Sequence, residues 1–308
     1  MHASIISIIT VDYRQPTHTL QLLQSIKRYM GNVNLEVIVV DNGSIEDNEA
    51  LFQTVYPQVV YIRSKENLGF AGGNNLGIRR AKGDYLLFLN NDTEITAGFI
   101  STLQKELENH PDIGLLSPLI LYFDDQRKIQ YAGYTPMNYL TGRNRGMGFM
   151  EEDIGQYDHV TTETGYCHGA AMICRRADLQ RVGLMEEHFF LYYEELDWCE
   201  KFKRAGLKIG FTGKAKIYHK ESMSVGKESL LKTFFMVRNR WLFIRRNAKW
   251  PSMLVFSAYY LLVAVPFLLL KYLVKGRVDL FRAALRGVAW NLTHRSRSRS
   301  LGIVLPVA

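Results

Sequence analysis

From residue 5 to residue 89 the chain alternates short apolar runs of strand length with stretches of helical periodicity, and this alternation narrows the possible folds more than any other feature. Residues 5–11 form a continuous apolar run. The stretch after it places Leu20, Leu23, Ile26 and Met30 on one helical face and stops at Gly31. Residues 35–40, 59–62 and 85–89 read as further strands, with helical stretches at 48–55 and 74–81 between them. Strands that are apolar throughout, interleaved with helices, predict an α/β fold: a mostly parallel central sheet with helices on both faces. In open sheets of this kind ligands sit beyond the carboxyl ends of the strands. Asp41 and Asp92 each follow a strand directly, so two carboxylates are expected at one rim.

Residues 120–165 are rich in Gly, Tyr and Arg without clear periodicity and read as a variable insertion over the sheet edge. Periodicity resumes at 169–174, and a helix at 195–205 with short strands at 208–211 and 215–218 completes a globular unit. The three cysteines, Cys167, Cys174 and Cys199, have neither zinc-ligand nor disulfide-framework spacing, which fits a reducing compartment. The opening residues read as a strand and not as a cleavable leader, so the catalytic part is expected in the cytoplasm.

Charge divides the chain. Residues 1–200 carry 16 Lys/Arg against 27 Asp/Glu, whereas residues 201–308 carry 22 against 3. A basic C-terminal third suits nucleic acid, anionic lipid or phosphate-rich substrates. Its apolar run of 21 uncharged residues from Trp250 to Leu270 favours lipid over nucleic acid. That length crosses a hydrocarbon core of about 30 Å, yet Arg245, Arg246 and Lys249 precede it and Lys271, Lys275 and Arg277 follow it, so loop charge cannot orient a single crossing. Pro251 and Pro266 bracket the segment, and a hairpin lying on or dipping into one anionic leaflet would reconcile both flanks. Val278, Phe281, Leu285, Val288 and Leu292 then recur at helical spacing, with Arg282 and Arg286 on another face, the pattern of an interfacial helix. The competing reading is a helix pair buried in a soluble protein. These features divide the chain into a catalytic domain, 1–247, and a membrane-association region, 248–308.

Four motifs carry chemistry. Leu89-Asn90-Asn91-Asp92 sets a carboxylate just past a strand, where it can hold a divalent cation against a diphosphate. Glu66 to Gly77 is rich in Asn and Gly; it has neither dinucleotide-site nor phosphate-loop glycine order. Glu194-Glu195-Leu196-Asp197 opens a helix with three carboxylates, which the helix dipole alone would also favour. His219 closes a strand, and Arg238-Asn239-Arg240 lies on a later helix, where Arg238 could grip a diphosphate or simply be surface charge.

In this order the motifs resemble the inverting glycosyltransferases of family 2, which have the GT-A fold, and the resemblance covers roughly residues 3–245. It implies that the end of the first strand, Val11 and Tyr13, frames the nucleotide base, although Asp12 and Arg14 stand where asparagines are common. Asp41 would hydrogen-bond the base, its alternative being an Asx-turn residue. Asn67, Gly69, Gly73 and Asn74 would line the nucleotide loop. Asn90-Asn91-Asp92 occupies the family's D-x-D position, with Asn91 in the donor site and Asp92 as principal metal carboxylate for Mg²⁺ or Mn²⁺; His219 matches a histidine that joins the same metal. The acidic segment carries the catalytic base to Glu195, with Asp197 and Glu194 as substitutes, and Gly169 falls beside the donor sugar.

The expected function is transfer of a sugar from a nucleotide-diphosphate donor to a glycan or lipid-linked acceptor. The overall likeness is to bacterial rhamnosyltransferases of surface-polysaccharide assembly, working at the cytoplasmic side of the inner membrane. A sugar nucleotidyltransferase is the alternative enzyme, but residues 12–16 hold no glycine for a triphosphate loop. A non-catalytic sugar- or lipid-binding scaffold is the alternative outside enzymes.

Overall fold

The computed structural model describes residues 4–221 and 228–303, so the ends of both expected regions fall partly outside the described residues. In chain order the elements are β1 (Ile5–Asp12), α1 (Pro16–Tyr29), β2 (Asn34–Asn42), α2 (Glu49–Val55), β3 (Val60–Ser64), α3 (Gly69–Arg80), β4 (Tyr85–Leu89), β5 (Thr93–Ile95), α4 (Phe99–Asn109), β6 (Ile113–Tyr122) and β7 (Ile129–Tyr131). They continue with β8 (Thr161–Glu163), β9 (Ala171–Arg175), α5 (Arg176–Val182), α6 (Glu194–Arg204), β10 (Lys208–His219), α7 (Leu230–Asn247), α8 (Trp250–Tyr259), α9 (Val265–Val274) and α10 (Val278–Thr293).

The strands form one mixed sheet in the order β3-β2-β1-β4-β9-β6-β10-β5, with β7 attached to β6 and β8 to β10. All pairings among β1 to β4 are parallel, as the alternating pattern predicts. Strand β9 then enters antiparallel between β4 and β6. Alternate residues separate onto the two faces: Ile8, Val39 and Leu87 join one core, and Ile9, Val40 and Phe88 join the other. The two strands expected at 208–211 and 215–218 are a single strand, β10, with a register shift between Thr212 and Lys216. The glycine-rich run is the body of α3 and not a loop. A Cβ at Gly73 would stand 2.7 Å from Val11 Cγ1, and one at Gly77 would stand 2.5 Å from Ile9 Cγ2, so these glycines let the helix lie directly on the sheet.

The apolar segment is a continuous helix from Trp250 to Val274, long and apolar enough to cross a membrane, with only 17% of its most apolar window buried. Its middle widens into a π-helical turn at Tyr260–Ala264, just before Pro266, which has no N–H to give to the helix ladder. It is therefore neither a hairpin within 250–270 nor a buried pair. The chain reverses at Gly276, and α10 packs against α7 through Leu280, Ala284, Gly287 and Asn291. The stripe expected to seek an interface lies mostly outside this contact: Val278, Leu285 and Leu292 are exposed, while Val288 is buried.

Candidate functional site

Beyond the carboxyl ends of β1, β2 and β4 the molecule opens into a cleft of about 310 Å³. Val11, Tyr13, Asn67, Gly69, Asn91, Asp92, Gly169, Glu194, Glu195 and His219, all expected at the site, line it.

Asp92 lies in the turn between β4 and β5. Because β5 pairs antiparallel with β10, placing His219 opposite Thr93, the last residue of β10 is delivered beside Asp92. His219 Nε2 stands 3.2 Å from Asp92 Oδ1, both residues are buried, and neither atom has a hydrogen-bond partner among the described residues. His219 Nδ1 is 2.7 Å from Gln130 Oε1, which can only accept, so Nδ1 carries a proton, and in the neutral ring Nε2 presents its lone pair to the carboxylate. Two electron-rich atoms facing each other in a buried place fit a shared cation, with Gln130 fixing the ring as an outer-sphere partner does. Two protein donors suit Mg²⁺ or Mn²⁺, which take their remaining ligands from water and phosphate. Asn91 secures the turn: its Nδ2 donates to Asp12 Oδ1 at 3.2 Å and to Thr19 Oγ1 at 3.1 Å.

The acidic pair starts α6. Burial pushes the Glu195 carboxyl up to about 7, within the range that serves a general base. Burial, reinforced by Glu195, pushes Glu194 well above the usual carboxylate range, and its Oε2 has no partner among the described residues. Glu194 is thus held protonated while Glu195 titrates. Gly169 faces this base: a Cβ there would sit 3.8 Å from Glu195 Cγ, in ordinary contact, so the missing side chain leaves room for a ligand. His168 stacks on Tyr134 and meets the His219 ring edge-on; burial lowers its pKa to about 3, so it is neutral.

The segment leading into α6 is strained. Phe190, Tyr192 and Tyr193 all have positive φ (64°, 69° and 75°), a costly conformation for bulky side chains. Asn239 holds it: its buried Nδ2 donates to the carbonyls of Phe189, Leu191 and Tyr192 at 2.8–2.9 Å. Phe70 N donates to Phe190 O, an approach that only glycine permits at Gly69, where a Cβ would lie 2.2 Å from that oxygen.

Several expected site residues are placed elsewhere. Asp197 is fully buried; its carboxylate binds Arg246 Nε at 3.1 Å and Asn247 Nδ2 at 2.8 Å. Residues two apart on a helix point in nearly opposite directions, so Asp197 ties α6 to α7 and does not share the cleft with Glu195. Arg238, expected at the diphosphate or on the surface, lies outside the cleft. It is fully buried, its guanidinium lies 4.3 Å from the Trp290 ring centroid, and it donates to His188 O. Gly73 and Asn74 belong to the packed part of α3, the latter donating to Phe70 O. Asp41 is buried at the same rim with its oxygens engaged by Tyr61 Oη (2.6 Å) and by Ser44 N (2.8 Å), three residues on, and is not among the lining residues. Sequence reasoning missed Gln130 and His168 and gave Asn239 no role of its own. Gln130 has no signal in the irregular insertion; Asn239 is an amide inside an apolar helix, which is a signal.

The chain matches Glycosyl transferase family 2 over residues 7–183. It is 28% identical over 244 residues, covering 77% of this chain and 74% of the relative, to the low-salt glycan biosynthesis hexosyltransferase Agl10 of Haloferax volcanii. It is 21% identical over 250 residues, covering 73% and 78%, to the N-acetylglucosaminyl-diphospho-decaprenol L-rhamnosyltransferase of Mycobacterium tuberculosis. Among solved structures, the mannosyltransferase PcManGT of Pyrobaculum calidifontis, crystallised with GDP-Man and Mn²⁺, superposes with a TM-score of 0.57 at 15% identity over 96% of this chain and 77% of its own. The mixed sheet and these neighbours establish the GT-A fold. With its match spanning more than half of its length, the chain belongs to glycosyltransferase family 2.

Proposed function

We propose that this glycosyltransferase is a metal-dependent, inverting hexosyltransferase, with rhamnose the first sugar to test, acting on a glycan or lipid-linked acceptor in surface-polysaccharide assembly. One observation carries the reading: a cation-suited pair, Asp92 and His219, shares a cleft with a single carboxylate poised near neutrality, Glu195. Val11, Tyr13 and Asn67 border the end of the cleft where the nucleotide would lie. The chemistry that Mg²⁺ or Mn²⁺ supplies at Asp92 and His219 is neutralisation of the charge on the departing diphosphate. Glu195 accepts the proton of the acceptor hydroxyl as its oxygen bonds to the anomeric carbon and the bond to the diphosphate breaks on the opposite face. One base and one displacement invert the centre. Neutral Glu194 lies deeper and offers no second nucleophile. The exposed apolar helix and the basic residues around it support attachment to an anionic, cytoplasmic leaflet.

The test is release of nucleoside diphosphate from a panel of nucleotide sugars, including dTDP-rhamnose, with Mn²⁺, Mg²⁺ or chelator. Release with metal and loss on chelation supports the reading. Asp92→Ala and His219→Ala should each raise the Mn²⁺ requirement by more than the roughly 10–100-fold that loss of an outer-sphere partner costs, with a double variant little worse than either alone. Pyrophosphate production from a nucleoside triphosphate and a sugar phosphate would mark a nucleotidyltransferase. Absence of any turnover or donor binding would leave a scaffold.

A further inference from the structure

His168 lines the catalytic cleft and has no part in the reaction proposed above. The fold fixes it from the backbone outward. His168 N donates to Ser117 Oγ at 3.1 Å, and that hydroxyl donates in turn to Ala171 O at 2.6 Å, so the turn leading into β9 is pinned to β6. The ring is held as firmly. It stacks on Tyr134 with 15° between the planes, while Tyr131 and His219 set tilted and edge-on rings 5.6 and 5.8 Å from its centroid.

The ring's hydrogen bonding is asymmetric. Ala170 N donates to His168 Nδ1 at 3.1 Å. A backbone N–H can only donate, so Nδ1 accepts with its lone pair and the proton of the ring sits on Nε2. That Nε2–H makes no hydrogen bond among the described residues. The same bond to Ala170 excludes two other roles: with one nitrogen accepting and the other protonated, the ring has no lone pair left for a cation or for taking up a substrate proton. What remains is one neutral, immobile N–H donor in the cleft.

Its place says what that donor meets. On one side stands His219, half of the pair suited to a cation; on the other, Gly169 leaves open the space in front of Glu195. The diphosphate belongs at the first and the attacking hydroxyl at the second, so the sugar being transferred lies between them, beside His168. A sugar without the matching oxygen would leave the N–H unmet in the filled cleft, the arrangement that gives hydrogen-bonding sites their strongest selectivity.

We propose that His168 is a specificity-determining residue whose Nε2–H donates to one hydroxyl of the transferred sugar, so that the enzyme selects donors carrying an oxygen at that position. The assignment rests on the transferase reading and adds to it the side chain that discriminates among donor sugars.

The test measures nucleoside diphosphate release, at fixed Mn²⁺, from dTDP-rhamnose, UDP-glucose and GDP-mannose, and then from analogues of the fastest donor that each lack one sugar hydroxyl. The unchanged protein should lose roughly 10²-fold or more in kcat/KM with one analogue and much less with the others. His168→Phe keeps the ring stack and removes the N–H; it should turn over the full sugar and that one analogue at nearly equal kcat/KM and leave the ranking of the others as it was. His168→Gln returns an N–H at similar reach and should restore most of the discrimination. A packing role alone would lower kcat/KM for every donor alike and leave these ratios in place. Unchanged selectivity in His168→Phe overturns the proposal. So does an affinity for free nucleoside diphosphate that falls as far as kcat/KM does, which would put the N–H on the diphosphate. Should His168→Phe unfold, the analogue series on the unchanged protein and on His168→Gln decides, and a series in which no single hydroxyl dominates overturns it. Release from none of the three donors is a different failure, that of the transferase reading, and takes this assignment with it.

Discussion

The N-terminal half and the C-terminal helical layer use their helices in opposite ways. In the first, α1 and α3 bury their inner faces on the sheet, and polar groups at the rim satisfy one another: Asp12 with Thr19 and Asn91, Asp41 with Tyr61 and Ser44. In the second, α7 is buried on most sides, while the helix ahead of α10 leaves Leu254, Leu262, Phe267 and Val274 in the open. The contrast separates a frame that closes on itself from a layer that leaves apolar side chains uncovered among the described residues. The layer also reaches into the site, because Asn239 and Arg238 of α7 hold the carbonyls of 188–192 that position Glu195.

The largest expected effect is on Glu195. Glu195→Gln should reduce transfer by roughly 10²–10⁴-fold while donor binding persists. In the unchanged protein kcat/KM should rise with pH through about 7 as Glu195 loses its proton. The sign for stability is opposite. A carboxyl whose folded pKa is raised binds more protons folded than unfolded, so stability falls as pH rises from the ordinary carboxylate range through about 7. Glu195→Gln should remove that loss and melt higher at pH 8, seen by calorimetry at two pH values; equal melting at both would contradict the burial argument.

Two residues on, Asp197→Ala should do the reverse. It leaves Arg246 with Glu186 as its remaining carboxylate partner, so the loss of folding stability should stay below the about 3–5 kcal/mol of a buried ion left unpaired. Turnover per folded molecule at low temperature should stay near normal. A selective loss of turnover would return Asp197 to the chemistry.

Asn239→Ala tests whether the C-terminal layer sets the catalytic geometry. With three carbonyls left without their donor, the positive-φ segment relaxes, and kcat should fall roughly tenfold, as each strained residue stores on the order of 1–3 kcal/mol. The discriminating readout is the pH profile: a loosened segment admits water and moves the Glu195 inflection toward the ordinary carboxylate range. A profile that keeps its inflection would leave Asn239 a packing residue only.

The smallest effect on chemistry, and the sharpest on the comparison, is membrane attachment. The full chain should sediment with anionic vesicles, and high salt should weaken but not abolish this, because screening removes charge attraction and leaves apolar insertion. A full chain that ignores vesicles and is monodisperse without detergent would mean that the exposed helix meets another protein surface.

The sequence by itself determined the parallel half of the sheet, since apolar runs and helical periods are local signals, and the resemblance of its motifs to family 2 glycosyltransferases singled out Asp92, Glu195 and His219. It also marked an apolar segment of spanning length, whereas the structure decided that the segment is one continuous helix. Only the tertiary structure decided which carboxylates face the cleft. Asp41 and Asp92 both stand at strand ends, and Glu195 and Asp197 both lie in the first turn of α6, yet Tyr61 and Ser44 engage Asp41 and Arg246 and Asn247 engage Asp197. The meeting of Asp92 with His219 depends on the antiparallel pairing of β5 with β10, between segments far apart in the chain, and the placement of Glu195 on a clamp from α7. Local periodicity sets what each segment becomes; long-range pairing sets which side chains share one space, and no local pattern encodes it.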